Sequence, residues 1–466
     1  DVVHMSLDFL PLRSYANITE GNALRLDWES VVPKHQLSYI MGNPPFVGYS
    51  LQSKEQKKDI LSIYVNEKGK PYKTAGKIDY VAGWYFKASQ LIQGTNIRIA
   101  FVSTNSITQG EQVAGVWKPL YDRFGIHIDF AYRTFRWDSE ANLKAHVHCV
   151  IVGFSVAPNN AEKRIYSEEH FQMAENINAY LMDAPTIFIE SRSKSLCEVP
   201  EMLYGNKPTD GGFLFLTNDE YQDVQKREPE ILKYIRRVYG ASEFINNKPR
   251  FCIWLVGVSP AEVRKSKFIM ERVESVRKFR LASTKAATRK SAEMPTLFQE
   301  VRHPNSDYII VPRHSSETRK YIPLGFVSPE IIVNDAVQII PNATTYHFGV
   351  LTSNVHMAWM RAVCGRIKSD YRYSKDIVYN NFPWPTPTEE QKTKIEQTAQ
   401  GILDARALYT DCSLADLYDE VTMPVELRRA HQANDKAVMA AYGFPVRTTT
   451  EASCVAELMR MHQRLG

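Results

Sequence analysis

The tetrapeptide Asn43-Pro44-Pro45-Phe46 constrains this chain more than any other feature. It closes a short apolar run, Leu37-Ser38-Tyr39-Ile40-Met41, with a turn that has little freedom. Each proline fixes φ near about −65° and removes a backbone donor, so neither a helix nor a paired strand continues through the pair. The run before it reads as a strand whose C-terminal end stays open, and α/β sheets take their ligands at that end.

The residue types at this turn suit one kind of chemistry. An exocyclic amino group on a purine is a poor nucleophile because its lone pair is delocalised into the ring. A side-chain amide oxygen at Asn43 and a backbone carbonyl held by Pro44 and Pro45 can both accept hydrogen bonds from such an amine. The nitrogen is then drawn toward tetrahedral geometry, and its lone pair is freed for in-line attack on a sulfonium methyl. Phe46 offers a flat face to an extruded base. In isolation the same tetrapeptide also reads as an ordinary turn after a strand.

Around this turn, residues 1 to 165 alternate between strand and helix patterns. Asp79 to Gln93 carries apolar residues at helical spacing, and Ile97 to Ser103 is a continuous apolar strand. Ile126 to Tyr132 and Val147 to Phe154 read as an antiparallel pair across the polar loop from Asp138 to Lys144. An α/β sheet closed by a hairpin at one edge is expected. Residues 166 to 385 change to short strands, many prolines and one marked helix. Ser259 caps that helix, Pro260 opens it, and Val263, Ile269, Val273 and Val276 form its apolar side. Asn381-Phe382-Pro383-Trp384-Pro385-Thr386-Pro387 predicts a stiff boundary, after which Glu389 to Tyr409 and Met423 to Tyr442 have helical period. The expected fold is thus an α/β sheet, a mixed α+β region and a helical tail over 386 to 466.

Net charge is only +5, which indicates no partner by itself, but its distribution is uneven. From Ala261 to Ser291 there are ten lysines or arginines against three glutamates, a candidate phosphate-contacting helix that includes Lys265 and Lys267. Arg366, Lys368, Arg372 and Lys375, interleaved with Tyr371 and Tyr373, form a second candidate, since arginine reads guanine bidentately and tyrosine packs on sugar or base. The six cysteines show no CxxC pairing, which suits a reducing cytoplasm. No apolar run approaches the ~20 residues that span a bilayer. His146-Val147-His148-Cys149 is a poor metal site, because on a strand the histidines share one face and the cysteine points to the other. No metal is expected. Asp1 opens in what reads as the middle of a fold, so a longer parent is the expectation.

Several ordered segments carry a family resemblance. Thr19 to Leu24 and Ile40 to Gly48 resemble the gamma-class amino-methyltransferases of DNA, and more narrowly the MmeI-like single-chain restriction–modification enzymes. The resemblance continues through Asp79 to Tyr85, Phe101 to Ile107, Phe135-Arg136-Trp137 with His146 to Phe154, Gly365 to Ser374, Val378 to Pro385 and Met423 to Leu427. It implies a partial class I, Rossmann-like methyltransferase sheet over 1 to 165, a DNA target-recognition domain over 166 to 385, and a helical C-terminal domain over 386 to 466. The implied activity is adenine-N6 methylation of double-stranded DNA with S-adenosylmethionine. Asn43, Pro44 and Pro45 would hold the amino group, Phe46 would stack on the base, and Phe135 or Trp137 would pack its other side. Asn22 and Gly42 would face the cofactor, and the segment around Arg366 would close the recognition domain.

The chain departs from the family pattern in two ways. The glycine-rich cofactor loop and the acidic ribose ligand lie upstream of the first matching motif, so the cofactor site is expected to be incomplete here. No Pro-Asp dipeptide of a nuclease occurs, and Glu55-Gln56-Lys57 alone reads as a solvated charge cluster. Two other readings stay open: a DNA-binding recognition module inactive by itself, and a methyltransferase acting on RNA or a protein amide. The long region after the motif argues against the last.

Overall fold

The computed structural model describes residues 18–137, 147–158, 161–168 and 170–466. They form two compact units, one of residues up to Ile107 with Ala114–Ile177, the other of Thr108–Val113 with Asn178–Gly466.

The first unit is built on a six-stranded sheet of β1 (Tyr39–Gly42), β2 (Arg98–Thr104), β3 (His127–Trp137), β4 (Val147–Ser155), β5 (Lys163–Ser167) and β6 (His170–Ala174). Their order is β1-β2-β4-β3-β5-β6. β1 and β2 run parallel, β4 is antiparallel to both β2 and β3, and β3 is parallel to β5. The expected antiparallel pair exists, but not at an edge: β4 is inserted between β2 and β3, and β5 and β6 extend the sheet beyond it. Side chains alternate as a pleated strand requires. On β2, Ile99, Phe101 and Ser103 are buried between half-exposed neighbours.

The helix Ala82–Leu91 packs Tyr85 into this sheet. The Tyr85 ring lies 5.2 Å from Phe101, 5.2 Å from Trp117 and 5.4 Å from Phe154, and its hydroxyl meets Ser103 Oγ at 2.8 Å. A large aromatic at this point needs a polar partner for its hydroxyl, and Ser103 supplies one without breaking the apolar core.

The second unit contains two four-stranded sheets and one of three strands. The helix expected from Ala261 is broken. It forms a turn, Pro260–Val263, then a longer helix, Lys267–Leu281, and a short one, Ala286–Lys290. The break falls where Ser266 caps Ile269 and bonds Glu228 at 2.8 Å, which ends one helix and starts another. Val263, Ile269, Val273 and Val276 are all buried, as their spacing predicts. Arg280 of the same helix is also fully buried, although it counts among the ten basic residues of the candidate phosphate-contacting run.

The proline-rich segment is a buried crossing. Asn381, Phe382 and Trp384 are almost wholly inaccessible, and Asn381 Nδ2 donates to the carbonyls of Glu190 and Asp376. The helical tail follows as Glu389–Ala407, Val425–Ala441 and Glu451–Leu465. All six cysteines are free, and no helix among the described residues is long and apolar enough to cross a membrane.

Candidate functional site at the open edge of the sheet

Register across the sheet places the candidate residues relative to one another. Gly42, the last residue of β1, pairs with Phe101, which pairs with Val152, which pairs with Ala131. Further along, Thr104 pairs with Cys149 and Cys149 with Phe135. β1, β2 and β3 therefore end at one edge of the sheet. Asn43 lies just beyond that edge, and Phe135 and Trp137 lie at it, three strand spacings or about 14 Å away.

Asn43 is exposed, and its amide has no partner among the described residues, whereas Pro44 is buried. The loop after Asn43 is clamped from behind. Tyr80 N donates to Val47 O at 2.9 Å, and Tyr49 N donates to Asp79 Oδ1 at 2.9 Å. Ser106, in the loop after β2, donates to the other oxygen of Asp79. One buried carboxylate thus ties the two loops that leave β1 and β2. Sequence periodicity placed Asp79 at the start of a helix and missed this role; an aspartate directly ahead of an apolar helix was the available signal.

A cavity of about 640 Å³ opens beside Asn43. It is lined by Gly21, Asn22 and Ala23, by the segment Ile40–Pro45, and by the aromatic residues Trp28, Tyr80, Trp84 and Phe101. Gly21 has φ +156°, and a Cβ there would fall 2.9 Å from Leu26 Cδ1, so only glycine fits this turn. Gly42 lies against the Phe101 ring, which a Cβ would meet at 3.3 Å. Asn22 lines the cavity, but its amide is committed to the wall. Oδ1 accepts from Leu24 N at 2.9 Å and Nδ2 donates to Asp59 at 3.1 Å.

Asp59 is the organising residue that sequence reasoning missed. It is nearly buried, and besides Asn22 it accepts from Arg25 Nε at 2.7 Å and from the Tyr80 hydroxyl at 3.1 Å. Within Lys54-Glu55-Gln56-Lys57-Lys58-Asp59 nothing separates it from its solvated neighbours; Glu55, Gln56 and Lys57 are simply the first turn of the helix Lys54–Ile63. Burial raises the Asp59 carboxyl, but the bonds from Arg25, Tyr80 and Asn22 outweigh it and hold it below its ordinary value. A depressed carboxyl contributes stability above the unfolded value of about 3.9 and loses it as pH falls through the folded value. Asp59→Asn should therefore lower stability by on the order of 1 kcal/mol at neutral pH, with Arg25 discounted for its exposure. Thermal melts of wild type and variant at neutral pH and near pH 3 check this. An equal gap at both pH values would remove the ionised carboxylate from the account.

β3 carries a one-residue bulge, since Tyr132 pairs with Ile151 and Phe135 with Cys149. The extra residue shifts the alternation, so Phe135 joins the face of Tyr132, with ring centres 5.3 Å apart. Trp137 follows at 6.1 Å from Phe135 and is 44% exposed. Among the described residues no group of histidine, cysteine and carboxylate side chains could hold a metal ion. His146 lies outside those residues, and Cys149 is buried.

In the second unit, Arg366 and Arg372 lie on the hairpin Gly365–Ile367 and Asp370–Arg372, which pairs with His314–Ser315. Arg366 is held in place. It donates to Ser369 O at 2.8 Å, approaches Glu317 at 3.7 Å and stacks 4.4 Å over Tyr371. Lys368 takes φ +58° at the exposed turn, and Arg372 is exposed.

The expectation that Tyr371 and Tyr373 face DNA needs correction, because both turn inward and are almost inaccessible. The Tyr373 hydroxyl lies 2.9 Å from Nε2 of His356, an imidazole that burial pushes down to about 3 and so keeps neutral. These tyrosines support the hairpin from within. Lys375 is mostly buried and paired with Asp376 at 2.9 Å. Lys265 and Lys267 are exposed, paired only with Glu262 and Glu271.

Three family models match the chain in order: the MmeI DNA-methyltransferase domain over residues 2–167, the MmeI target recognition domain over 183–386, and the MmeI C-terminal domain over 387–466. DNA methyltransferase A of Bacillus subtilis (strain 168) is 39% identical over 435 residues, covering 93% of this chain and 49% of that protein. The structure of the type IIL restriction–modification enzyme MmeI in complex with DNA superposes with a TM-score of 0.90 at 45% identity, over 98% of this chain and 61% of that one. The chain spans about half the length of the curated relative.

Proposed function

The chain belongs to the MmeI family of restriction–modification DNA methyltransferases, and from that premise we propose that it captures one adenine of a specific duplex site for methylation at N6. The observation that carries this reading is Asn43, an unpartnered amide at the open end of β1, on a loop clamped by Asp79 and beside the cavity. Asn43 Oδ1 and the Pro44 carbonyl accept from the adenine amino group and shift its lone pair out of the ring. Phe46 covers one face of the base, and Phe135 or Trp137 covers the other. The cavity falls in the size range of small-molecule sites, and its aromatic lining residues beside Gly21–Ala23 and Gly42 fit a heteroaromatic ligand. S-adenosylmethionine, when bound, supplies the electrophilic methyl group. Residues 1–165 take the catalytic role in this reading, 166–385 recognise the sequence, and 386–466 form the helical support.

Incubating the full-length protein with cognate DNA and a methyl-labelled cofactor, then digesting to nucleosides, tests the proposal. Label is expected in N6-methyladenine. Label in cytosine alone, or none in DNA, would overturn it.

Recognition divides between rigid and mobile cations. The hairpin fixes the Arg372 backbone by pairing on both sides, and Tyr371 with Glu317 fixes Arg366, whereas Lys265 and Lys267 lie on the exposed surface, each beside one glutamate. Arg372→Ala should cost about 1–3 kcal/mol on the cognate duplex and less on random DNA. Replacing Lys265 and Lys267 together should weaken every duplex alike and reduce the salt slope by about one unit for each phosphate left without its lysine. Fluorescence anisotropy with cognate and scrambled duplexes at several salt concentrations distinguishes these outcomes. Equal losses on both duplexes would place Arg372 on the phosphates.

A further inference from the structure

The face formed by β3, β5 and β6 carries a row of aromatic rings, of which the proposed capture of the target base uses only Phe135 or Trp137 at one end. Tyr132 on β3 pairs with Tyr166 on β5, and Tyr166 with Phe171 on β6, so the three stand as neighbours on one face. The bulge in β3 brings Phe135, and Trp137 beyond it, into the same row. Ring centres lie 6.1 Å apart from Trp137 to Phe135, 5.3 Å on to Tyr132, 6.1 Å on to Tyr166 and 5.8 Å on to Phe171. The Arg164 guanidinium sits 5.0 Å over Phe171 and reaches Glu162 at 3.3 Å. Ala131 and Ile165, which alternate with these residues, are buried, so the core lies on the opposite face, while Tyr132, Phe135 and Tyr166 are half-buried and Trp137 is exposed. Phe171 is 53% exposed.

We propose that this row is a stacking platform for unpaired nucleotides of the bound DNA, an inference that rests on the proposed function. Drawing a base out of a duplex leaves its neighbours unstacked, and a continuous row of rings leading away from the open edge can receive them. From Tyr132 to Phe171 is two strand spacings, about 10 Å, and sheet faces with aromatics on adjacent strands stack two or three unpaired bases. Arg164 adds a planar cation at the far end, suited to a base face or a phosphate. The row's continuity with the edge where Asn43 stands favours nucleic acid over a protein occupant. An edge strand such as β6 that displays a large ring is a liability unless that ring binds something.

The test uses the full-length protein and a fluorescein-labelled oligothymidine of about a dozen nucleotides, read by anisotropy. Phe171→Leu and Tyr166→Leu keep apolar bulk and remove the π face, and Gln172→Ala alters the opposite side of β6. Each leucine variant is expected to weaken single-strand binding by roughly five- to a hundredfold, as removal of one base stack implies, with Gln172→Ala unchanged. Equal affinity for wild type and both leucine variants, or no oligothymidine binding by wild type, overturns the platform. Normal adenine methylation alongside such a result overturns this inference alone. Ring-dependent oligothymidine binding without any methylation overturns the proposed function alone.

Discussion

Asn43→Ala is expected to lower kcat for methyl transfer by about two orders of magnitude or more, with affinity for the cognate duplex nearly unchanged. Loss of an oriented hydrogen-bond partner that acts on developing charge typically removes about 2.7–4 kcal/mol of transition-state stabilisation. Asn43 suits that role because its amide bonds nothing else among the described residues, so its oxygen needs no release before it meets substrate. Its position is set by others: Pro44 is buried, and Asp79 with Tyr80 hold the loop behind it, so truncation removes the oxygen without loosening the turn. Asn43→Asp restores an acceptor oxygen at the same distance from the backbone and should recover part of the rate. Single-turnover methylation with duplex binding measured in parallel provides the readout. An alanine variant that keeps more than about a tenth of the rate has lost under ~1.4 kcal/mol, too little for a residue that activates the amino group.

The physical form of each signal decides what was legible in the sequence. β1, β2 and β4 follow from apolar runs that stop at polar residues or prolines, and the Asn43 turn follows from proline stereochemistry. Both are local effects. The residues that hold the site in place are not local. Asp59 acts through Asn22 and Tyr80, far from it in sequence, and in a run of charges its burial leaves no trace. Asp79 sits where the helical pattern begins, yet its carboxylate serves two loops. The helix Gly110–Phe124 went unread because Pro119 lies inside it, and proline ordinarily argues against a helix interior. The bulge in β3 reverses which side Phe135 faces, and a count of two along the strand cannot register one extra residue.

The basic run from Ala261 shows the same limit, because sequence counts charges without showing where they point. Arg272 bonds the carbonyls of Phe213 and Phe215 at 3.1 Å and 2.9 Å, and Arg277 pairs with Glu274 at 3.5 Å. Part of what read as a phosphate-binding stripe is therefore turned into the fold at Arg272 and Arg280 or offset by a surface glutamate at Arg277, and the exposed remainder carries less charge than the composition suggests.

Arg280→Met should be the most destabilising single change in the second unit, with a loss of about 4 kcal/mol or more. Arg280 is fully buried, and its five hydrogen bonds all go to backbone carbonyls. They reach Thr209 at 2.9 Å, Pro208 at 2.9 Å, Ser291 and Met294 at 3.0 Å, and Leu297 at 2.7 Å. One guanidinium thereby ties the helix Lys267–Leu281 to the segments 208–209 and 291–297. Burial lowers its pKa, so the charge is costly, but the surrounding carbonyls compensate while all five bonds stand. Methionine fills much of the volume and donates nothing, which leaves the Thr209 and Leu297 carbonyls without a donor at about 1–3 kcal/mol each and those of Pro208, Ser291 and Met294 with one backbone donor apiece. Arg280→Lys keeps the charge on a compact head with three donors and should fall between the two. Lys278, two residues earlier on the same helix, is exposed, and Lys278→Met should change stability by less than about 0.5 kcal/mol. Denaturant and thermal unfolding of the three variants provide the comparison, with Arg280→Met expected to melt roughly 10 °C or more below wild type. If Arg280→Met and Lys278→Met unfolded at the same midpoint, the five bonds would contribute nothing net to stability.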